Sequence, residues 1–292
     1  MTTPHDNGRL MYAYAVLRSG ARPPGGLLGI GDTPVHTVAE GPLAALVSTV
    51  PTAEFDQPQV RERLEDLAWL ESTARAHRRV VDETAAEVGV LPLRLVTVYR
   101  DEDSVRAVLA ANAERFELLL ARLDGRLEWG VKAYARASED SRAAAGHESA
   151  ARPAPSPAGA ESGREFLRRR LRDRKVRDTA RQESDGLARA VHDTLTQAAE
   201  ESRLHRPQDP RLAEAVAASG AADADGHAPA GNRAAVTRGA NLLNGAYLVR
   251  REQAGEFAER VGELAARSPA LRIELTGPWA PYSFTDLPEE AP

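Results

Sequence analysis

Cysteine is absent from this 292-residue chain, and aromatic residues make up only 5% of it. Without cysteine there are no disulfides, no thiolate metal ligands and no cysteine nucleophile. No apolar run approaches the length of a membrane-spanning helix, and the first nine residues lack the basic-then-apolar order of a signal peptide. These absences predict a cytoplasmic protein without a membrane span.

Catalytic and phosphate-binding motifs are also missing. The chain has no G-x-S-x-G, no G-x-x-x-x-G-K-[ST] loop and no G-x-G-x-x-G after a strand. No two of its seven histidines fall three to five residues apart, so a helical metal pair is not present. We therefore expect no catalytic residues, no cofactor and no metal site, and we predict that the protein is not an enzyme.

The residues that are present predict a globular α+β protein. Hydrophobic residues make up 42% of the chain, and its length allows two domains. Strand and helix periodicities predict an N-terminal α+β domain over residues 1–136. Its strands are expected at 10–18, 35–38, 43–49, 91–99 and 127–135, and its two long helices at 60–88 and 101–123.

The second half begins after a change of composition. Residues 137–163 are rich in Ala, Ser, Gly and Pro, which predicts a flexible, disordered linker. A C-terminal domain over 164–292 is then expected to contain a long charged helix at 164–204 and a disordered insertion near 205–235. It ends in a strand, a helix and a strand at 245–250, 252–267 and 271–276. This last unit is half of a ferredoxin-like fold, so we predict a ferredoxin-like C-terminal domain.

The aromatic residues are concentrated near the end of the chain. Residues 271–276 alternate as a strand, Gly277 and Pro278 are expected to end it, and Trp279, Tyr282 and Phe284 follow closely. Two interpretations remain open. Either these residues form an extended arm that inserts its rings into a groove and binds a partner, or they form a tail that fills the chain's own core.

A run of basic residues in the long charged helix is the strongest charge feature. It consists of Arg168, Arg169, Arg170, Arg172, Arg174, Lys175 and Arg177. A solvated helix and a contact with an acidic partner surface both remain open, and the second would make Arg168, Arg169 and Arg170 partner-binding residues. Nucleic-acid binding is disfavoured, because no aromatic residues are interleaved and the formal net charge of the chain is −5.

Several short stretches, in order along the chain, resemble the gas vesicle protein F/L family (GvpF/GvpL). They are MYAYAV at 11–16, GPLAALVSTVP at 41–51, VLPLRLVTVY at 90–99, LEWGVKAY at 127–134, GAYLV at 245–249 and GPWAPYSF at 277–284. One departure is visible after the Leu-Pro-x-Arg piece. The family usually has a glycine-containing turn there, whereas this chain has Leu95, Val96 and Thr97.

The resemblance implies a non-enzymatic assembly or minor structural protein of gas vesicles, the gas-filled protein shells that make cells buoyant. Its partners would be the small hydrophobic shell subunit and other accessory gas vesicle proteins, and it would be associated with gas vesicles in the cytoplasm. The alternative is a small-molecule-binding regulator or enzyme on ferredoxin-like domains. Arg94, Lys132 and Tyr134 are the only strand-borne candidates for its pocket.

Overall fold

A computed structural model describes residues 8–136, 163–206 and 240–286. The predicted linker, except Gly163, and the predicted insertion, except residues 205 and 206, lie outside these ranges. Within them, the strands form two antiparallel sheets, and helices pack against both. None of the helices in the described ranges combines the length and the apolar character needed to cross a bilayer.

The first sheet is built around strand β1 (Arg9–Arg18), which is buried on both faces because nearly all its residues are apolar or aromatic. It pairs antiparallel with β3 (Leu43–Pro51), which pairs in turn with β2 (His36–Glu40). Gly41 makes the turn between β2 and β3 with a φ of 54°, a conformation that glycine adopts without steric cost. The central strand and the hairpin predicted from the sequence are therefore confirmed.

A short helix, α1 (Thr52–Phe55), follows β3, and the helix predicted at 60–88 is broken into α2 (Gln57–Arg63) and α3 (Leu67–Glu87). The apolar residues of this predicted helix keep helical spacing across the break, so their pattern does not reveal where one helix ends and the next begins. The spacing of apolar residues carries no information about capping. The carboxylate of Asp66 accepts hydrogen bonds from the N–H groups of Ala68 and Trp69, and so starts α3 as a separate helix.

The second predicted helix is also divided, into α4 (Glu102–Ala111) and α5 (Ala113–Leu123). The break lies at Asn112, whose backbone leaves the helical region. The Asn112 side chain donates a hydrogen bond to the Val108 carbonyl at 2.9 Å, which satisfies one of the carbonyls at the end of α4.

The strand predicted at 91–99 is interrupted by a turn. Of the residues in this predicted strand, those of β4 (Leu91–Pro92) and β5 (Val98–Tyr99) form ladder pairs with β1. In the turn between them Val96 has a φ of 62°, a left-handed conformation that is unusual for a β-branched residue. The Val96 N–H donates a hydrogen bond to the Tyr12 hydroxyl at 2.9 Å. The chain therefore makes this turn with a valine where the backbone geometry favours glycine.

The second sheet has the order β7-β8-β6-β9, from β6 (Arg126–Ala135), β7 (Glu201–Leu204), β8 (Asn241–Arg250) and β9 (Leu271–Trp279). The alternation of apolar and polar residues predicts β6 as a strand, and its position in the chain places it in the predicted N-terminal domain. In the structure β6 pairs antiparallel with both β8 and β9. The pairing partners of β6 could not be read from the sequence, because alternation identifies a strand and not the strands it pairs with. The partners of β6 lie far along the chain, beyond the predicted linker.

Two helices cover one face of the second sheet. They are α6 (Gly163–Ala198) and α7 (Ala254–Arg267), and their buried side chains form one cluster with those of β6, β8 and β9. The helix predicted to reach residue 204 ends at Ala198, because residues 201–204 form β7 instead.

The two sheets share a hydrophobic cluster. Side chains of β1, β3 and β4 meet those of α5 there, and Ala246, Leu248 and Phe284 from the second half of the chain complete it. The first sheet therefore buries part of its apolar surface against residues that follow the predicted linker.

Candidate interaction surfaces

The aromatic residues near the end of the chain lie in residues 277–286, which we call the C-terminal segment. Strand β9 continues through Gly277 and Pro278 to Trp279, so the strand end predicted at residue 276 is too early. A proline is accommodated there because β9 is the last strand of its sheet. A short 3-10 turn at Tyr282–Phe284 follows.

Two of the three predicted anchor rings are used inside the chain. Phe284 is fully buried in the cluster that joins the two sheets, with the Arg203 guanidinium 5.5 Å from its ring centre. Tyr282 packs on the other face of the first sheet, where its ring lies 6.1 Å from that of His77. The interpretation of a tail that fills the chain's own core fits these two residues.

Polar contacts hold the C-terminal segment to three elements at once. Ser283 donates hydrogen bonds from its N–H and its hydroxyl to the Glu128 carboxylate on β6, at 2.7 and 2.6 Å. Burial raises the pKa of Glu128, and the bonds from Ser283 oppose this shift. Arg122 on α5 donates to the Asp286 carbonyl at 2.9 Å, and Arg203 on β7 lies 3.8 Å from the Asp286 carboxylate.

Beneath Tyr282, a buried polar group connects β1 to its neighbours. The Tyr12 hydroxyl lies 3.0 Å from Nδ1 of His77, and the Tyr14 hydroxyl lies 2.7 Å from the Ser48 hydroxyl. Burial lowers the pKa of His77 to about 4 and raises the pKa values of both tyrosines. The imidazole and the phenols are therefore neutral near pH 7. His77 is a hydrogen-bonded packing residue.

Trp279 differs from the other two anchor residues because its ring belongs to none of the three hydrophobic clusters of the described residues, although Tyr282 is also only partly buried. The Arg78 guanidinium lies 5.2 Å from the centre of its ring, which is a cation–π distance. Trp279 is thus the member of the predicted aromatic set that is partly exposed and is not packed into one of these clusters.

The strand that ends at Trp279 has a strand neighbour on one side only among the described residues. The Arg136 N–H bonds the Ala270 carbonyl, and the antiparallel register continues from this pair along β9. Antiparallel pairing alternates, so the N–H and carbonyl groups of Ile273 and Leu275 point away from β6. The outer edge of β9 is therefore a row of backbone donors and acceptors that ends in a half-exposed tryptophan.

The arginine run lies on a different element, the N-terminal half of α6. Arg168 and Arg170 are exposed there, and the side chain of Arg169 lies outside the described part of the structure. Two large apolar side chains on the same stretch are also exposed, Leu171 by 65% and Val176 by 68%. The C-terminal segment instead packs against α3, α5, β6 and β7, so the two predicted contact regions belong to separate surfaces.

The candidates for a small-molecule pocket do not form one group. Arg94 is exposed in the turn between β4 and β5, whereas Lys132 and Tyr134 lie on β6 in the other sheet. The Tyr134 ring stacks with the Arg272 guanidinium at 4.4 Å. Among the residues that the structure describes, no group of three or more His, Asp or Glu side chains is placed to hold a metal ion.

Sequence reasoning missed the residues that hold the C-terminal segment: Glu128, Arg122 and Arg203. Glu128 occupies a strand position whose neighbours are apolar or small, which is a weak signal of a buried polar contact. Its partner Ser283 is 155 residues away in sequence. No local pattern in a single sequence connects residues at that separation.

The family model described as gas vesicle synthesis protein GvpL/GvpF matches residues 10–286. The chain belongs to the GvpL/GvpF family. Gas vesicle protein L of Streptomyces sp. (strain CB03234) is 43% identical over 287 residues, which are 97% of this chain and 95% of that protein. Gas vesicle protein F of the same strain is 28% identical over 282 residues, which are 94% of this chain and 99% of that protein.

Two crystal structures of family members have the same fold. GvpF from Anabaena sp. PCC7120 matches with a TM-score of 0.59 at 17% identity, over 96% of this chain and 98% of that one. GvpF from Microcystis aeruginosa matches with a TM-score of 0.58 at 20% identity, over 95% and 99% of the two chains. The family identified from short sequence stretches is thus confirmed. This GvpL/GvpF protein has a gas vesicle-related role, and its family is not a known enzyme family.

Proposed function

We propose that this chain is a non-enzymatic assembly or minor structural protein of gas vesicles, located in the cytoplasm in association with them. It binds the small hydrophobic shell subunit and other accessory gas vesicle proteins. Membership of the GvpL/GvpF family supports a gas vesicle-related role. The physical rationale is that a very hydrophobic subunit has to be kept from aggregating before it polymerises, and a carrier protein can cover its apolar surface.

We also propose that the chain forms two α+β domains, the second of them ferredoxin-like. The β-α-β-β-α-β succession from β6 to β9, with α6 and α7 on one face of a four-stranded sheet, supports the second part. With β6 assigned by its hydrogen bonds, the boundary between the two proposed domains falls between α5 and β6.

The observation that carries the proposed function is the outer edge of β9. A strand of the shell subunit added there would pair with the outward backbone groups of Ile273 and Leu275. Trp279 lies at the end of the same edge, where its half-exposed ring can anchor an apolar partner. Backbone pairing supplies affinity for an extended segment, and the ring supplies an apolar contact at one end.

A pull-down of co-expressed shell subunit tests this proposal. Wild-type chain is compared with Trp279→Ala and with the matched control Trp69→Ala, which removes another half-buried tryptophan that has an arginine, Arg63, 5.8 Å from its ring. We expect wild type and Trp69→Ala to retain the subunit. Trp279→Ala should weaken its binding about tenfold, because an aromatic anchor contributes roughly 1.4 kcal/mol or more.

Circular dichroism of each variant separates a lost contact from a lost fold. If the folded wild type retains no shell subunit, the proposed binding is wrong. If all three proteins retain it equally, the contact lies away from Trp279, and the proposal for the edge of β9 is wrong.

A further inference from the structure

The outer edge of β2 is a second open strand edge, and it belongs to the first sheet. Among the described residues, β2 has β3 as its only strand neighbour. The Pro42 carbonyl accepts a hydrogen bond from the Ser19 N–H on the β1 side, so the next residue, Leu43, directs its backbone groups to β2. Leu43 is opposite the last residue of β2, and hydrogen bonding alternates from there. The N–H and carbonyl groups of Thr37 and Ala39 therefore point away from β3.

These four backbone groups are accessible to a partner. They form no hydrogen bond within the part of the chain that the structure describes, and the side chains of Thr37 and Ala39 are exposed. The other face of the strand differs, because Val38 is buried on the side where α4 packs. Pro34 and Pro42 flank the strand and limit any pairing to about five residues. β2 is thus fixed to its own chain along one edge and open along the other.

We propose that two copies of this chain associate edge to edge through β2, with the two strands antiparallel and the two-fold axis at Val38. In this register Thr37 of one copy lies opposite Ala39 of the other, twice in one interface. Each such pair exchanges two backbone hydrogen bonds, so four bonds form and every outward group of β2 is used. The first sheets of the two copies then continue as one antiparallel sheet.

The backbone selects this register over its neighbours. A pair centred on Thr37 would place Ala39 opposite Val35, whose N–H is already hydrogen-bonded within its own chain. A pair centred on Ala39 would place Thr37 opposite Gly41, which forms the turn to β3 with a φ of 54°. With the axis at Val38, each outward group of β2 instead meets an outward group of the second β2.

The polar side chains of β2 are complementary in the same register. His36 of each copy lies opposite Glu40 of the other, at both ends of the pair, and residues directly opposite each other on antiparallel strands are in contact. Within its own chain, Nε2 of His36 lies 3.3 Å from the Glu102 carboxylate. Glu40 of the second copy supplies an acceptor for the other ring nitrogen. No two like charges are opposite each other along the paired strands.

The side chains on the exposed face favour a second copy over a hydrophobic segment. Thr37 and Ala39 are small and provide no apolar anchor, in contrast to Trp279 at the end of β9. A strand of the shell subunit would therefore gain little from β2 beyond backbone hydrogen bonds. A second β2 gains the same bonds and also the contacts of His36 with Glu40. The inference concerns the other sheet and does not depend on the shell-binding proposal.

The position of α4 is compatible with this pairing. The helix contacts both β2 and β3, so it lies across the two strands. Neighbouring strands are about 4.8 Å apart, and the two symmetry-related α4 helices would therefore lie about 10 Å apart. This is a normal packing distance between helices, and the pair can form without displacing α4.

Sedimentation equilibrium of the full chain measures the association. The interface is small, so we expect a weak dimer with a dissociation constant of about 100 μM or below. Ala39→Pro removes an outward N–H and leaves the bonds to β3 intact, as is typical of proline on edge strands. It should weaken dimerisation at least about tenfold, because two of the four hydrogen bonds are lost. Ala39→Thr keeps the N–H and is the matched control, which should dimerise as wild type does.

Paired charges at the two exposed positions test the register. Thr37→Lys with Ala39→Glu places unlike charges opposite each other in both pairs and should dimerise at least as well as wild type. Thr37→Lys with Ala39→Lys places like charges opposite each other and should stay monomeric. An equimolar mixture of this variant with Thr37→Glu, Ala39→Glu should form a heterodimer.

Three results would overturn the proposal. They are a wild-type chain that stays monomeric at the highest concentration, a dimer that Ala39→Pro and Ala39→Thr affect equally, or a dimer in which the two lysine-containing double variants behave alike. Capture of shell subunit by a monomeric wild type that is lost in Ala39→Pro would instead assign this edge to the subunit. Circular dichroism and thermal unfolding confirm that each variant is folded before any result is interpreted.

Discussion

His77 illustrates what burial does to one residue of this protein. It is surrounded by Tyr12, Tyr14 and Tyr282, and its Nδ1 lies 3.0 Å from the Tyr12 hydroxyl. Burial lowers its pKa from 6.5 to about 4, because the charged imidazolium loses its hydration there. The neutral imidazole therefore belongs to the folded state, and protonation favours unfolding.

This shift predicts how stability depends on pH. Between pH 6.5 and about 4 the unfolded chain binds a proton at His77 and the folded chain does not, so the free energy of unfolding falls as pH is lowered through this window. The contribution of His77 amounts to at most about 3 kcal/mol. Urea denaturation of wild type and His77→Gln at several pH values between 7.5 and 4.5 measures it. The stability advantage of wild type over the variant should shrink as pH falls.

The comparison with the variant is needed because Glu128 acts in the opposite direction. Its pKa is raised by burial, so the folded state retains its proton to higher pH than the unfolded state, and this contribution to stability is lost as pH rises. Glu128 is present in both proteins and its effect cancels in the difference. A difference in stability that does not change with pH would show that His77 titrates normally in the folded chain.

At the scale of elements, the C-terminal segment is an integral part of the fold rather than a free arm. Phe284 fills a place in the cluster between the sheets, Tyr282 packs over His77, and Ser283 bonds Glu128 between them. Successive residues of one short turn thus contact both faces of the first sheet and a strand of the second. Trp279, three residues before this turn, is only partly buried at the end of β9.

This arrangement predicts a contrast between two aromatic substitutions. Phe284→Ala should lower the free energy of unfolding by about 3–5 kcal/mol, because it removes a fully buried ring and leaves a cavity. Trp279→Ala should cost less than half as much, since its ring is already partly in water. Urea denaturation monitored by far-UV circular dichroism measures both. Equal losses of stability, or a larger loss for Trp279→Ala, would contradict this account of the segment.

At the scale of the whole molecule, the shared cluster makes the two halves depend on each other. Ala246, Leu248 and Phe284 complete the apolar surface that α5 and the first sheet bury. Strand β6 directly follows α5, and in the part of the chain that the structure describes it pairs only with strands from the second half. Cutting the chain at residue 136 therefore leaves both an open apolar surface and an unpaired strand.

A fragment of residues 8–136 should consequently lack a cooperative fold. We expect weak near-UV circular dichroism, a broad thermal transition and strong binding of a hydrophobic dye. A second fragment, residues 8–124, removes the unpaired β6 and should aggregate less, but it should still bind the dye because the cluster remains open. A cooperative transition of the 8–136 fragment with native-like near-UV circular dichroism would show that the N-terminal half does not need the shared cluster.

Elements with a strong local pattern could be predicted from the sequence. The run of apolar residues in β1, the hairpin around Gly41 and the amphipathic helix α7 each follow from residues that are close in sequence. The helix breaks at Asp66 and Asn112 were not predicted. Apolar residues keep helical spacing across each break, and a single capping residue is a weaker signal than that spacing. The turn at Val96 was not predicted either, because valine disfavours the left-handed backbone conformation that it adopts there.

The sequence by itself determined the α+β class, the absence of thiol chemistry and the family, because composition, periodicity and short ordered motifs are local properties. Only the tertiary structure decided that β6 pairs with β8 and β9, that Phe284 lies in the chain's own core while Trp279 does not, and that the C-terminal half of α6 packs against the second sheet. These features depend on contacts between residues far apart in sequence. The packing of the whole chain decides which apolar surfaces are buried against each other, and no short segment carries that information.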